Sequence, residues 1–253
     1  TEHSVTDLQR LLLIDDVDVV IHLAAEANVG ESYEKPYKYY NFNINSSLNI
    51  AEFCRIKKIS KLIYLNTYVY GNNPNNPIDE NHKIELISPY TKSKYISEKL
   101  FMHYFDHDID VISLRLFNLY GVFQSNKFFI ANLINQIVNG IKPIIDNEET
   151  RRDYLYINDL INLIRLIILK KNEQNKFQIF NVGSGISYSG IEIIKHVEKL
   201  LDKNIEYINM QFTKKNELKD CYANISKTQK HFNWKLNYSI ADGLNDYMKI
   251  LKK

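Results

Sequence analysis

Two tyrosine–lysine pairs with the same spacing lie in the stretch PYTKSKYISEK, residues 89–99. They are Tyr90 with Lys94 and Tyr95 with Lys99. On a helix, a lysine four residues after a tyrosine lies about one turn away on the same face, so its ammonium can approach the phenol. A nearby positive charge favours the phenolate and lowers its pKa. Such a phenol can act as a general acid or base on a sugar hydroxyl.

Spacing alone is weak evidence, because the chain has 18 Tyr and 32 Lys plus Arg among 253 residues and a solvated helix face is the simpler explanation. Context separates the two pairs. Ser88 and Pro89 are typical of an N-cap followed by the first helical residue, which places Tyr90 at the mouth of a helix. Tyr95 lies about 140° further round that helix, where we expect it to pack against a neighbouring helix.

Composition narrows the class of protein. With 45% hydrophobic residues among 253, the chain can bury a full α/β core. The net charge is +2 and the lysines are scattered, so we expect neither a nucleic-acid nor a membrane-surface partner. Cys54 and Cys221 are the only cysteines, too few for a disulfide framework, and we expect no metal site. The low cysteine count fits a reducing cytoplasm, and a polar start and the lack of long apolar runs predict neither a signal peptide nor an anchor.

Short apolar runs alternate with helical patterns along the chain, which predicts a doubly wound α/β sheet. The predicted buried strands are 17–25, 61–71, 110–121 and 177–185. The predicted helices are 47–58, 89–105, 128–140, 157–171, 190–201 and 240–253. Ligands bind beyond the carboxyl ends of strands in such sheets. Polar or small residues stand at those ends, which predicts a cleft there: His22, Ala24, Ala25, Asn66, Thr67, Asn118 and Asn181.

An ordered set of short motifs resembles the extended short-chain dehydrogenase/reductases that act on nucleotide sugars, most closely the UDP-glucose/galactose 4-epimerases. The motifs are VIHLAA, NINSSLN, VYG, PYTKSK, LRLFNLYG, RRDYLYINDL, FNVGSG, CYANISK and FNWK. The resemblance covers nearly the whole chain. It implies NAD as the cofactor, a nucleotide-diphosphate sugar as the substrate, and a homodimer formed through the helices at 47–58 and 89–105.

The resemblance also implies roles for individual residues near the cofactor. Tyr90 would be the acid/base, and Lys94 would hold the nicotinamide ribose while lowering the pKa of Tyr90. Ala24 and Ala25 would lie against the cofactor. Asn43 would support the active-site helix.

Three further residues are implied to bind substrate. Asn118 would contact it, and Arg152 would bind its diphosphate, for which a guanidinium is suited. Lys214 stands where a second arginine is usual, and it keeps the charge without the bidentate geometry. The alternatives are that Arg152 forms an ion pair with Asp153 or Asp159 and that Lys214 is a solvated surface residue.

One departure from the family concerns the hydroxyl residue that assists the tyrosine. Asn66 stands at that position, five residues before the glycine of VYG, and Thr67 follows it. Adjacent strand residues face opposite sides, so Thr67 would serve only if the strand end turns. Both are candidate catalytic residues. The acid pair of 4,6-dehydratases is replaced by Thr67 and Tyr68, which disfavours dehydration.

The other departure is that no glycine-rich phosphate loop precedes VIHLAA. The stretch GSGISYSG, residues 183–190, has the wrong glycine spacing and falls in the substrate half, so we interpret it as unrelated to cofactor binding. We expect an N-terminally truncated Rossmann-type sheet, residues 1–120 and 157–183, with a smaller α+β nucleotide-sugar-binding cap, residues 121–156 and 184–253. Such a truncated chain is not expected to hold NAD by itself.

The leading hypothesis is an NAD-dependent nucleotide-sugar 4-epimerase that works through a transient 4-keto sugar. An NADPH-dependent 4-ketosugar reductase needs the same tyrosine and lysine and is the alternative among enzymes. A non-catalytic sugar-nucleotide-binding fragment or pseudoenzyme is the alternative from another class, because of Asn66 and the missing loop.

Overall fold

The structure is a computed structural model that describes residues 5–71, 75–105, 109–171, 176–211 and 219–251. Its helices are α1 (Leu8–Leu11), α2 (Val29–Glu34), α3 (Pro36–Ile56), α4 (Pro89–Tyr104), α5 (Phe129–Val138), α6 (Ile157–Leu169), α7 (Gly190–Leu201), α8 (Ser226–Phe232) and α9 (Ile240–Leu251). Its strands are β1 (Val19–His22), β2 (Lys61–Thr67), β3 (Asp110–Leu116), β4 (Asn118–Tyr120), β5 (Ile144–Ile145), β6 (Arg151–Tyr156), β7 (Phe177–Val182), β8 (Ser187–Ser189), β9 (Ile208–Asn209) and β10 (Asp220–Cys221). The chain divides into two compact units.

The first unit draws on Thr1–Gly71, Lys83–Leu116 and Ile168–Asn181. Its sheet has the order β1-β2-β3-β7, and β1, β2 and β3 run parallel. Strands β2 and β3 are buried along nearly their whole length, as expected when helices cover a parallel sheet. Helices α3 and α4 pack against each other and supply core residues such as Phe53 and Phe101. This architecture confirms the α/β prediction.

The second unit draws on Asn72–His82, Phe117–Ile167 and Val182–Lys253. Its main sheet has the order β10-β6-β4, and β8 pairs antiparallel with β6. Strands β5 and β9 form a separate parallel pair. Its core includes Tyr120, Tyr156, Ile193 and Leu244. No helix in the described ranges is long and apolar enough to cross a bilayer.

The strands predicted over 17–25, 61–71 and 177–185 are shorter in the structure, and two predicted elements differ more. The pattern predicts a helix from residue 47, whereas α3 begins at Pro36. Its early turns bury Tyr39 and Asn43, so tertiary packing overrides the weak helix propensity of tyrosine and asparagine. The predicted strand over 110–121 is two strands, β3 and β4, which belong to different sheets and are separated at Phe117. The apolar run does not reveal the change of sheet, because it continues from β3 through Phe117 into β4.

Candidate active site

Tyr90 lies in the first turn of α4, and the cap of that helix fixes its position. Ser88 accepts a hydrogen bond from the Thr91 amide (3.1 Å), and the Thr91 hydroxyl accepts one from the Ser88 amide (3.1 Å). Pro89 is the first helical residue. The predicted N-cap is therefore confirmed, and its reciprocal bonds satisfy amides at the start of the helix. Tyr90 is partly exposed, whereas Lys94 one turn later is buried.

The Lys94 side chain is held on β2. Its Nζ donates to the carbonyl oxygen of Leu65 (2.7 Å) and lies 4.3 Å from the centre of the Tyr64 ring. The Tyr64 hydroxyl in turn donates to the Lys94 carbonyl (3.1 Å). Burial lowers the pKa of Lys94 to about 7, since removal from water disfavours the charged form.

The pKa of Tyr90 is not lowered, although Lys94 was expected to lower it. Burial raises the pKa of Tyr90 to about 12, against a smaller lowering effect of the Thr67 side chain. The expectation of a lowered pKa was wrong because it considered only the charge of Lys94. Burial acts on both groups, and it favours the neutral form of each.

The structure separates the roles of Asn66 and Thr67. Thr67 is the last residue of β2, and its side chain lowers the pKa of Tyr90 against the larger effect of burial. Asn66 is buried, and its Nδ2 donates to Glu98 Oε2 (2.7 Å). Its Oδ1 accepts from the Thr67 amide (2.8 Å). The hydroxyl beside the tyrosine is therefore that of Thr67, and the asparagine side chain faces α4.

A buried ion pair that the sequence analysis missed lies behind this pair of residues. Arg115 on β3 donates from Nη2 to Glu98 Oε1 (2.6 Å) and from Nε to Oε2 (3.0 Å). Ser113 donates to the same Oε2 (2.8 Å). Arg115 also donates to the Tyr70 hydroxyl (2.9 Å), which donates to Asn181 (2.6 Å). The Glu98 and Arg115 side chains are almost wholly buried.

Asn43 joins three parts of the first unit. Its Nδ2 donates to Ser93 Oγ on α4 (2.9 Å), and its Oδ1 accepts from the Glu26 amide (2.8 Å) just after β1. Its carbonyl accepts from Ser97 of α4 (3.0 Å). Asn43 thus ties α3 to the helix that carries Tyr90. Ala24 and Ala25, the residues before Glu26, are small and partly exposed.

The second tyrosine–lysine pair makes a different contact. Lys99 Nζ lies 5.3 Å from the centre of the Tyr95 ring and 3.5 Å from Met102 Sδ. Tyr95 is partly buried. The pair is a cation–π contact on another face of α4, a common stabilising arrangement at a protein surface.

In the second unit, the two arginines of β6 differ in their contacts. Arg151 forms an ion pair with Glu192 (2.8 Å) and donates to the Ser187 carbonyl (2.8 Å). Arg152 donates to the Arg151 carbonyl (2.8 Å) and is partly exposed. Asn118 donates to the carbonyl of Asp153 (3.1 Å) across the β4–β6 pair.

The carboxylates considered as partners for Arg152 are bonded by backbone amides. Asp159 accepts from the amides of Asn237 (2.8 Å) and Tyr238 (3.3 Å). Asp153 accepts from the amides of the glycine loop and of Ala223, as described next. Lys214 lies outside the described residues.

The loop Gly183–Gly185 binds an anion of its own chain. Asp153, which is fully buried, accepts from the Ser184 amide (2.6 Å), the Gly185 amide (3.0 Å) and the Ser184 hydroxyl (2.7 Å). A Cβ at Gly183 would collide with the Asp153 carboxylate. The glycine there permits the close approach of a carboxylate, which supports the interpretation that this loop is unrelated to a phosphate site.

Comparison with known proteins defines the class. A family model described as the NAD dependent epimerase/dehydratase family matches residues 2–183. A putative UDP-glucose 4-epimerase of Methanocaldococcus jannaschii is 32% identical over 262 residues, with coverage of 97% of this chain and 81% of that protein. The chain belongs to the NAD-dependent epimerase/dehydratase family, which confirms the resemblance.

Two solved structures are also similar. UDP-glucuronic acid 4-epimerase from Bacillus cereus, in complex with UDP-glucuronic acid and NAD, has a TM-score of 0.86 and 30% identity, covering 97% of this chain and 79% of that chain. UDP-glucose 4-epimerase from Bifidobacterium longum, in complex with NAD+ and UDP, has a TM-score of 0.85 and 27% identity. The match covers 98% of this chain and 82% of that chain. The relatives indicate an enzyme of the isomerase class.

Proposed function

We propose that this protein is an NAD-dependent UDP-sugar 4-epimerase with Tyr90 as its acid/base. The position of Tyr90 carries the proposal, because the capped first turn of α4 places a partly exposed phenol at the start of the helix. Lys94 follows one turn later. This arrangement supports a catalytic protein over a non-catalytic fragment. The relatives named as UDP-sugar 4-epimerases support the reaction class.

The residues at the nicotinamide end fit the cofactor. An ammonium has three donors, and Lys94 uses one of them on Leu65 within the described residues, so donors are available for ribose hydroxyls. We propose that Lys94, Tyr90, Ala24 and Ala25 contact NAD and that Asn43 holds the loop after β1 in place. When bound, NAD supplies reversible hydride transfer at the sugar C4.

In the proposed mechanism, Tyr90 takes the proton of the sugar 4-hydroxyl and returns it after the 4-keto sugar has turned over. The Thr67 side chain stabilises the phenolate, in line with its lowering effect on the pKa of Tyr90. Lys94 fixes the ribose and keeps its place through the Leu65 carbonyl and the Tyr64 ring.

For the substrate, we propose that Arg152 and Lys214 bind the diphosphate of the UDP-sugar and that Asn118 contacts the sugar nucleotide. Arg151 is not a candidate, because its guanidinium is committed to Glu192 and Ser187. A planar guanidinium suits a diphosphate, whereas a lysine acts as a point charge.

A turnover experiment tests the function. The protein is tested as the purified chain and with the N-terminal segment of a related 4-epimerase fused before Thr1. Each form is supplied with NAD and, separately, with UDP-glucose, UDP-N-acetylglucosamine or UDP-glucuronate, and the products are resolved by proton NMR. From the fused form we expect interconversion of the 4-epimers of one of these sugars without net change in NAD. Stoichiometric oxidation of NADPH with a 4-ketosugar, and no epimer formed, would instead identify a reductase.

We propose that the protein forms a homodimer through α3 and α4, as its resemblance to the nucleotide-sugar epimerases implies. Apolar side chains on these helices are exposed in the single chain, among them Leu48, Ile96 and Met102. Sedimentation velocity with Ile96→Lys tests this, since a charge in the interface should shift the protein to monomers.

We also propose a cytoplasmic location, because Cys54 and Cys221 are free thiols.

A further inference from the structure

Tyr39 is a buried tyrosine of α3 whose ring lies against the ring of Tyr90. The two ring centres are 6.4 Å apart and the ring planes meet at 80°, which is an edge-to-face arrangement. Aromatic pairs favour this geometry because the positive edge of one ring meets the negative face of the other. Tyr39 is 0% exposed, so the partly exposed ring of Tyr90 packs against a ring that has no contact with solvent.

The hydroxyl of Tyr39 is bonded to the start of α2. It accepts a hydrogen bond from the amide of Asn28 (3.2 Å) and donates one to Glu31 Oε2 (3.4 Å). Asn28 is the N-cap of α2, and its side chain accepts from the Glu31 amide (2.8 Å). Because its ring is buried and its hydroxyl is bonded, Tyr39 has little freedom to change its position.

A second contact joins α2 to the start of α4. The Tyr33 hydroxyl donates to the carbonyl of Ile87 (2.7 Å), the residue before the N-cap Ser88. All of these residues belong to the first unit. The first turn of α4 is therefore held in two ways, through the backbone ahead of its cap and through the ring of Tyr90.

The cap of α4 fixes the backbone at Tyr90 but leaves the side-chain torsions of this residue free. An exposed side chain changes rotamer within picoseconds to nanoseconds unless a neighbour blocks the alternatives. A general acid or base must stay within hydrogen-bond reach of the proton that it transfers. A fixed ring beside Tyr90 supplies the restraint that the helix cap cannot provide.

We infer that Tyr39 is a positioning residue that holds the side chain of Tyr90 in one rotamer for proton transfer. The inference rests on the proposed function, because it takes Tyr90 as the acid/base. Tyr39 acts on the reaction through the ring contact with Tyr90, while its own hydroxyl is bonded to Asn28 and Glu31.

The test compares three variants. Tyr39→Leu removes the ring, whereas Tyr39→Phe keeps the ring and removes only the hydroxyl. Phe53→Leu is the matched control, because Phe53 is a buried aromatic residue of the same helix and lies about 20 Å further along it. Tyr39→Leu and Phe53→Leu should both destabilise the protein, so a general loss of stability appears in both variants.

The structural arm uses the purified chain with tyrosine labelled with 13C and 15N. Three-bond couplings between the backbone nitrogen and Cγ report whether χ1 of Tyr90 occupies one rotamer or several, and the Tyr90 signal is assigned by its loss in Tyr90→Phe. We expect the coupling of a single rotamer in the wild type, in Tyr39→Phe and in Phe53→Leu. Tyr39→Leu should give an averaged coupling.

The kinetic arm measures epimerisation with NAD in the form that carries the fused N-terminal segment. Misplacement of a catalytic group by about 1 Å can cost about 10²-fold, so Tyr39→Leu should lower kcat by about 10- to 10²-fold with little change in KM. Tyr39→Phe and Phe53→Leu should stay within a few-fold of the wild type, because both keep the ring beside Tyr90.

The outcomes separate the inference from the proposed function. A single rotamer of Tyr90 in Tyr39→Leu, or equal losses of kcat in Tyr39→Leu and Phe53→Leu, would overturn the inference and make Tyr39 a general core residue. Wild-type fused protein without epimerase activity would refute the proposed function, while the couplings would still decide whether Tyr39 holds Tyr90. Should Tyr39→Leu not fold, Tyr39→Met also lacks the ring, and a single rotamer of Tyr90 in that folded variant would overturn the inference as well.

Discussion

The Lys94 ammonium lies 4.3 Å above the ring of Tyr64, inside the protein, and donates to the Leu65 carbonyl. The Tyr64 ring in turn stacks on His22, with 5.6 Å between ring centres. Within the described residues, the ammonium contacts this ring and this carbonyl and forms no ion pair with a carboxylate. A cation without a countercharge is costly to bury, which is why the pKa of Lys94 falls to about 7.

Lys94→Met should make the cofactor-free protein more stable at pH 7 and below. The unfolded chain keeps the lysine proton up to about pH 10.4, whereas the folded chain releases it near pH 7. Between these values the unfolded state binds more protons, so the free energy of unfolding of the wild type rises with pH relative to the variant. Urea denaturation from pH 6 to pH 10 measures this difference. A constant difference across that range would show that the lysine does not titrate in the folded protein.

Tyr90→Phe should abolish epimerisation, with a loss of about 10² to 10⁴ in kcat, because one proton-transferring hydroxyl is removed. Tyr95→Phe is the matched control on the same helix, and it should stay within a few-fold of wild type. Both variants should keep the unfolding midpoint of the wild type. Similar kinetic losses in both would refute the assignment of Tyr90.

Glu98→Leu and Arg115→Leu should each cost about 3 to 5 kcal/mol of stability, because each leaves a buried charge without its partner. The double variant should cost less than the sum of the two. Chemical denaturation of the four proteins of this cycle gives the coupling energy. Additive costs would mean that the two side chains contribute independently.

Arg152→Ala should weaken UDP binding by about 1.5 to 3 kcal/mol, the usual range for a hydrogen bond to a charged group. Arg151→Ala, one residue earlier, should leave UDP affinity near wild type and cost about 0 to 1 kcal/mol of stability, since its ion pair with Glu192 is partly exposed. Titration calorimetry with UDP separates the two. An Arg152 variant that binds UDP as tightly as wild type would show a structural role for this arginine.

The parts of the site that follow from local rules could be predicted from the sequence. Ser88 and Pro89 start α4 where expected, since a cap depends on neighbouring residues alone. The pKa of Tyr90 could not be predicted from spacing, because it depends on how far the surrounding chain buries the phenol.

Glu98 and Arg115 lie on different elements of the chain, α4 and β3, so no short sequence motif contains both of them. A signal was nevertheless present: an arginine stands inside the apolar run DVISLRLF, and Glu98 is four residues after Lys94. Buried charged side chains generally need a partner of opposite charge. The sequence could therefore have predicted that Arg115 and Glu98 form an ion pair.

The carboxylate of Asp153 occupies the amides of the Gly183–Gly185 loop as a built-in ligand. Because it belongs to the same chain, its effective concentration at those amides far exceeds that of any free phosphate in solution. These two amides are therefore not available to a nucleotide phosphate. Any attempt to engineer a second phosphate site there would have to remove Asp153 first, and would then have to replace the link that this carboxylate provides to the amide of Ala223.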